Sequence, residues 1–292
     1  MKRQTAMRRN LLYLTLTLIC TGVFCLYLFF YQTRTDTQPP TISFSEQMLE
    51  LSVLDPKEAF LQGVTAYDNA DGDVTASVVV SSVRLSGTDG AIEVTYAAFD
   101  AAGNVTKAVR QARYADYESP KFSLDRSLTF AYNTGFNIFN AVQAEDLLDG
   151  DISHRVRITS LDDSSVMAQG IHQVELKVSN SLGETVTLVV PVEVYAAGTY
   201  AANLTLTDYL IYLPAGEKLD AESFLETYIR GTTTVALSDG LPEGYSLEVK
   251  SNVQPDVPGV YTVEYRVSQT VGTGSSAKAY TGYAKLIVVV EG

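Results

Sequence analysis

The sequence predicts an all-β protein in which three tandem sandwich domains follow one N-terminal transmembrane helix. Three observations lead to this prediction: an apolar run near the N-terminus, a strand pattern that occurs three times, and Asp-Gly turns at matching places in the repeats. A chain of 292 residues has room for two or three domains. Self-similarity at this period is typical of tandem small domains and not of one large enzyme core.

An uncharged run from Leu11 to Tyr31 is predicted to be the transmembrane helix. It has 21 residues, and about 20 are needed to cross a bilayer as a helix. Four basic residues precede the run, which predicts that residues 1–10 form a cytoplasmic tail and that the rest of the chain lies outside the cell. A cleaved signal peptide is the alternative, but no small-x-small cleavage site follows the run. We therefore expect an uncleaved anchor.

The composition of the exterior narrows the class of protein. Both cysteines, Cys20 and Cys25, lie inside the apolar run, so no disulfide is expected in the exterior domains. This favours a bacterial cell surface, because extracellular domains of animals commonly contain disulfides. The exterior carries 17 basic and 34 acidic residues, a formal charge of −17. Such a surface repels nucleic acid and anionic lipid, and we expect no nucleic-acid partner.

Each repeat contains one strand in which apolar and polar residues alternate. It begins at Gly90, Gly170 and Gly259, and a second glycine follows thirteen residues later. The apolar positions in the three repeats are Ile92, Val94, Tyr96 and Ala98; His172, Val174, Leu176 and Val178; and Tyr261, Val263, Tyr265 and Val267. Alternation with a period of two is the pattern of a half-buried strand, so these side chains are predicted to face a core.

Recurring landmarks set the domain boundaries. Pro40 and Pro120 open the first two repeats and are separated by the same 80 residues as Gly90 and Gly170. About seven short strands per repeat, with a turn signal every 8–12 residues, indicate immunoglobulin-like sandwiches. The third repeat is divergent and has a stretch of helical character at 221–228. The predicted organisation is a linker at 32–38 and domains at 39–117, 118–197 and 198–292.

Three motifs of the first repeat resemble bacterial Ig-like surface repeats. They are Pro-x-Ile, Ala-x-Asp-x-x-Asp-Gly-Asp-x-Thr and Gly-x-x-x-Val-x-Tyr-x-x-x-Asp-x-x-Gly-Asn. These modules occur in tandem on Gram-positive surface proteins and in the C-terminal regions of some insecticidal crystal toxins, and are related to hyalin-type and cadherin-like repeats. The resemblance covers nearly all of residues 39–291. It implies a fold and a surface location, but the modules act as spacers, adhesins and binding domains alike.

The first repeat also contains a candidate metal site. Its acidic residues at the two loops that recur between the repeats are Asp68, Asp71, Asp73 and Asp100. Calcium takes six to eight oxygen ligands, which closely spaced carboxylates can supply. The alternative is that Asp71-Gly72-Asp73 forms only a turn, because Gly accepts positive φ and Asp hydrogen-bonds to its own turn. If calcium binds specifically, we expect it in the first repeat, since the second has Asn180 at the fourth position.

Catalytic motifs are not apparent. The chain has two histidines: His172 occupies an alternating strand position, and His154 follows a turn. No nucleophile elbow, metalloprotease helix or phosphate loop occurs, so we expect a non-enzymatic protein without a cofactor. Carbohydrate binding stays open, because the third repeat is rich in tyrosine. Seven of these tyrosines are not placed by the pattern, namely Tyr200, Tyr209, Tyr212, Tyr228, Tyr245, Tyr280 and Tyr283.

The expected function is that of a spacer or interaction protein, anchored in the cell membrane and displayed outside the cell. Its partner would be a surface protein or a cell-wall polysaccharide. The alternative is a carbohydrate-binding or accessory subunit of an envelope enzyme.

Overall fold

The computed structural model describes residues 2–34, 36–87, 90–160 and 168–292. One α-helix, α1 (Lys2–Arg34), precedes the β-structure. Its segment Leu11–Phe30 has a mean hydropathy of 2.1 and is long and apolar enough to cross a membrane, with none of it buried against the rest of the protein. Its central threonines hydrogen-bond to backbone carbonyls three or four residues earlier, so they leave no unsatisfied hydroxyl in an apolar surrounding.

Seven strands follow in the described part of each repeat. The first repeat contains β1 (Thr41–Phe44), β2 (Met48–Leu51), β3 (Val64–Asp68), β4 (Gly72–Asp73), β5 (Val79–Leu85), β6 (Ala91–Phe99) and β7 (Val105–Tyr114). The second contains β8 (Lys121–Leu124), β9 (Thr129–Ala131), β10 (Val142–Asp146), β11 (Gly150–Asp151), β12 (Arg157–Ser160), β13 (Gly170–Ser179) and β14 (Thr185–Tyr195). The third contains β15 (Ala202–Leu206), β16 (Leu210–Pro214), β17 (Leu225–Arg230), β18 (Thr233–Ala236), β19 (Tyr245–Ser251), β20 (Gly259–Val271) and β21 (Lys278–Glu291).

The first two repeats are sandwiches with the same topology. In the first, sheet β1-β3-β4 faces sheet β2-β7-β6-β5; in the second, β8-β10-β11 faces β9-β14-β13-β12. In each, the second strand pairs in parallel with the last, while all other pairs are antiparallel. The predicted immunoglobulin-like fold is confirmed.

The third repeat joins its strands into one continuous sheet. The order is β18-β17-β15-β21-β20-β19, and β16 also pairs with β21. Strand β21 is 14 residues long, and its two ends pair in parallel with β15 and β16. The helical stretch expected at 221–228 is wrong beyond Phe224: a 3-10 helix spans Ala221–Phe224, and β17 begins at Leu225. Tyr228 is 1% exposed and donates to the Tyr280 carbonyl, so burial in the sheet outweighs local helix propensity.

The alternating positions form the cores, as predicted. Ile92, Val94, Tyr96 and Ala98 are fully buried, as are Val174, Leu176, Val263, Tyr265 and Val267. Tyr261, at the edge of this pattern, is only half-buried. Each of these strands lies between two others in its sheet, and its inward side chains pack in the core of its own repeat.

The chain divides into two compact units, one ending at Asp116 and the other beginning at Tyr117. The second unit holds two hydrophobic cores, one for each of its repeats. Leu210 and Ile287 belong to the third repeat in sequence but pack in the core of the second repeat. The second and third sandwiches are thus packed together as one compact body.

Candidate acidic site

An acidic site lies in the first repeat, where two loops and the linker meet. Asp68 ends β3, Asp100 follows β6, and Asp36 lies in the segment after the helix. One carboxylate oxygen from each lies within 4.8 Å of the others. Because β3 and β6 belong to facing sheets, the sandwich brings together loops that are far apart in sequence.

Local hydrogen bonds hold each carboxylate in place. Asp68 Oδ1 accepts from the backbone N–H groups of Ala70 and Asp71, at 2.8 and 2.9 Å. Asp100 Oδ1 and Oδ2 accept from the backbone and side-chain nitrogens of Asn104, each at 2.7 Å. Burial acts to raise the pKa of Asp100, but these hydrogen bonds, with further ones from the backbone of its loop, keep that pKa below its usual value. The hairpin needs Gly103, whose φ is +88°.

The linker is tied to this hairpin through Asn104. Its Nδ2 donates to the backbone carbonyls of Asp36 and Gln38, at 3.1 and 3.4 Å. Asp36 Oδ1 in turn accepts from the Gln38 backbone N–H, at 3.1 Å. These contacts place the Asp36 carboxylate beside those of Asp68 and Asp100.

The other two predicted ligands lie outside this group. Asp71 Oδ2 accepts from the Ala101 backbone N–H at 2.7 Å and so joins the two loops. Asp73 is exposed, and its Oδ1 accepts from the Thr75 backbone N–H at 2.9 Å. The side-chain and backbone hydrogen bonds with Thr75 lower the pKa of Asp73. The turn interpretation accounts for the contact of Asp73, whereas Asp71 bridges to the second loop.

Asp36 was missed by the sequence analysis, which placed it in the linker. A signal was present: Asp36 stands four residues before Pro40, as Asp116 stands four residues before Pro120. That signal is ambiguous, because the carboxylate of Asp116 binds a different segment of the first repeat. Its carboxylate accepts from Ser52 Oγ at 2.6 Å and from the Val53 backbone N–H at 2.9 Å.

The second repeat has the same two loops, but different side chains connect them. Asp146 and Asn180 occupy the places of Asp68 and Asp100, and the Asn180 hairpin repeats the backbone hydrogen bonds of the first. Here Asn180 Nδ2 donates to Asp146 Oδ2 at 3.1 Å and to the Tyr117 hydroxyl at 2.8 Å. Tyr117 itself donates to Glu184. Burial, followed by the hydrogen bond to Glu184, raises the pKa of Tyr117 well above its usual value, which keeps it a neutral donor.

No comparable group of acids occurs in the described part of the third repeat. Asp239 is exposed, and its neighbour Gly240 closes a turn by donating to the Leu237 carbonyl at 3.0 Å. Asp239 thus lies in a turn, as the Asp of an Asp-Gly pair commonly does.

The histidines and tyrosines occupy structural positions. His172 is 4% exposed, and its Nε2 lies 2.8 Å from the Ala168 carbonyl oxygen, whereas His154 is exposed. None of the seven unplaced tyrosines of the third repeat is exposed. Tyr200 stacks on Tyr283 with ring centroids 4.7 Å apart, which is packing within the unit. These tyrosines therefore form no exposed aromatic platform of the kind that carbohydrate binding uses.

No family model and no curated protein matches this chain. Several solved structures resemble it weakly. Drosophila N-cadherin EC1-3 is 12% identical, with 84% of this chain and 97% of that chain covered and a TM-score of 0.28. CBM51-2 in complex with GlcNAc, with INT domains, from Clostridium perfringens ZmpB is 12% identical, with 86% and 44% covered and a TM-score of 0.22. Protocadherin Gamma B2 extracellular cadherin domains 1-5 are 10% identical, with 87% and 60% covered and a TM-score of 0.19.

This chain spans less than two thirds of the ZmpB and protocadherin chains. Overlap at these TM-scores carries no argument about function.

Proposed function

We propose that this chain is a membrane-anchored, non-enzymatic spacer and interaction protein of a bacterial cell surface. Its partner is a surface protein or a wall polymer. One observation carries the proposal: an exposed apolar helix is followed by three sandwich domains that contain no cysteine.

The helix supports an anchor because its apolar side chains are exposed along the whole span. Large apolar residues from Leu11 to Phe30 are 45–66% exposed. Leaving such a surface in water is unfavourable by about 25 cal/mol per Å², whereas a bilayer covers it. The four basic residues before the helix favour a cytoplasmic N-terminus and an outward orientation for the sandwiches.

Packing within the second unit supports a spacer. Lys285 of the third repeat is 4% exposed and forms an ion pair with Glu193 of the second. Its backbone N–H also donates to Ser127 Oγ at 2.9 Å. A buried contact of this kind keeps two domains at a fixed distance, as a spacer requires.

One face of the first repeat supports an interaction role. Phe99 and Val105 are directly opposite each other on β6 and β7, and they are 41% and 46% exposed. Val79 and Val109 lie on the same outer face and are 48% and 50% exposed. We call these four residues the outer apolar face. Phe99 and Val105 form an adjacent exposed apolar pair, and clustered exposed apolar surface commonly marks a protein contact site.

Binding to cell walls tests the interaction role. Full-length protein in detergent is sedimented with purified Gram-positive cell walls, before and after protease removes their proteins. We expect the protein to sediment with the untreated walls. Binding that survives protease identifies a polymer as the partner, and binding that is lost identifies a protein. Absence of binding to both preparations would contradict the interaction role.

The double variant Phe99→Ser, Val105→Ser tests the surface. It should weaken the binding at least about tenfold, since a few residues dominate most interfaces. Ile171→Ser, at a 60% exposed position in the second repeat, is the control and should bind as the unaltered protein does.

The anchor makes a separate prediction. Mass spectrometry of the membrane fraction should recover peptides that reach the N-terminus, because no small-x-small site follows the helix. A soluble mature form that begins near residue 32 would contradict the anchor.

A further inference from the structure

We propose that Asp36, Asp68 and Asp100 bind one divalent cation of the Ca²⁺ type, which ties the linker to the first sandwich. The calcium titration that tests this site contains no cell-wall partner, so its failure is distinguishable from failure of the proposed function. The ligands of this site differ from those that the sequence predicts. Asp36 is a ligand here, and Asp71 and Asp73 are not.

The first observation is that two carboxylate oxygens are buried without a partner. Asp68 is 1% exposed, and its Oδ2 has no hydrogen-bond donor; Asp36 Oδ2 is also buried and has none. Both residues belong to the group of three carboxylates. A buried charged oxygen without a donor costs more free energy than almost any other buried group, so such atoms generally have a ligand.

The second observation is the lack of a compensating protein cation. Among the residues whose side chains the structure describes, 11–30, 36–87, 90–159 and 168–292, no lysine, arginine or histidine forms an ion pair with Asp36, Asp68 or Asp100. Three carboxylates that converge without a cation repel one another, whereas a doubly charged ion removes most of that repulsion.

The second repeat acts as an internal comparison. It has the same loop geometry, but the amide of Asn180 donates to the carboxylate of Asp146 and satisfies it. The first repeat has a carboxylate, Asp100, where the second has this amide. The second repeat thus supplies an N–H donor to its buried acid. In the first repeat, a metal ion takes the position of that donor.

The chemistry of the ligands favours calcium. The three residues offer carboxylate oxygens from three separate segments, and carboxylate oxygen is a ligand that a hard cation prefers. Two oxygens on opposite sides of Ca²⁺ are about 4.6–5.2 Å apart, because each Ca–O distance is about 2.3–2.6 Å. The three carboxylates each offer an oxygen within 4.8 Å of the others, so one Ca²⁺ ion can contact all three. Calcium also accepts irregular coordination geometry, whereas Mg²⁺ demands a near-ideal octahedron. Water completes the coordination shell.

Calcium titration by calorimetry tests the site. The full-length chain in detergent is freed of metal with a chelator and titrated with CaCl₂ in about 0.15 M NaCl, where the Debye length of about 8 Å weakens diffuse attraction. We expect one saturable site per chain. Asp36→Asn and Asp100→Asn should each weaken the affinity at least about tenfold, because affinity follows the number of charged ligands.

Asp73→Asn is the matched control. It removes one charge from the same region, and asparagine can still cap the turn at Thr75, so the affinity should change less than about twofold. An equal loss in Asp73→Asn and Asp100→Asn would show only diffuse attraction to a charged surface and would overturn the site. So would the absence of saturable binding to the unaltered chain. Tighter binding of MgCl₂ than of CaCl₂ would overturn the assignment to Ca²⁺.

Hydrogen exchange gives a second readout. CaCl₂ should slow exchange in the linker and the start of the first sandwich, residues 36–44, in the unaltered chain but not in Asp36→Asn. Peptides from β6 verify that Asp100→Asn is folded, as we expect from Asn180 in the second repeat. Asp36 lies outside the strands, so its variant tests the site without altering the core. Unchanged exchange at 36–44 would contradict the coupling of the linker to the cation.

Discussion

Replacement of Tyr96 with alanine should lower the free energy of unfolding of the first sandwich by about 3–5 kcal/mol. The ring is fully buried, and it lies 5.3 Å from the Phe44 ring between centroids. Its hydroxyl donates to the Phe60 carbonyl at 2.7 Å. Alanine would remove the ring, leave a cavity and deprive a buried carbonyl of its donor.

Urea unfolding of the full-length chain, followed by hydrogen exchange of β6 peptides, measures this effect. Tyr96→Phe keeps the ring and should cost only about 1–3 kcal/mol, the penalty for the unpaired carbonyl. Glu93→Ala, at an exposed position on the same strand, should stay within about 0.5 kcal/mol. A loss below about 1 kcal/mol for Tyr96→Ala would mean that this residue does not support the core.

Replacement of Lys285 with methionine should destabilise the second unit by about 3–5 kcal/mol. The ammonium group is buried between Glu193 and Glu264 and forms ion pairs with both. Tyr283 also donates to Glu193, at 2.9 Å. Methionine fills a similar volume but leaves the Glu193 carboxylate without its cation in a poorly hydrated place, whereas Glu264 keeps its ion pair with Arg266. The uncompensated charge of Glu193 is the source of the cost.

The double variant Lys285→Met, Glu193→Gln separates charge from packing. Glutamine at position 193 removes the uncompensated charge that Lys285→Met leaves, so part of the lost stability should return. Lys250→Met is the surface control: its ion pair with Glu248 is exposed and should contribute at most about 1 kcal/mol. Calorimetric unfolding of the full-length chain checks all three. Equal losses for Lys250→Met and Lys285→Met would contradict the buried network.

The two acidic loops show which part of the site can be predicted from the sequence and which part cannot. The loops themselves could be predicted, because Asp-Gly turns and closing glycines are local signals. Which carboxylates converge could not be predicted. Asp71 and Asp73 are near Asp68 in sequence but hydrogen-bond to backbone groups elsewhere, whereas Asp36 is 32 residues away and converges on it.

The third repeat gives the same lesson for the fold. Its alternating strand was identified correctly, because Val263, Tyr265 and Val267 keep the period of two. The pattern at 221–228 predicts a helical stretch, but the helix ends at Phe224. Local helix propensity is weak compared with the burial of Tyr228 in a sheet.

The sequence by itself determined the apolar helix, the seven-strand repeats and the residues that form their cores. These follow from periodicity, composition and turn chemistry, which act over a few neighbouring residues. Only the tertiary structure decided that Asp36 joins Asp68 and Asp100, and that Lys285 joins the second and third sandwiches. Both depend on contacts between distant segments, whose geometry is set when whole sheets pack and not by any local pattern.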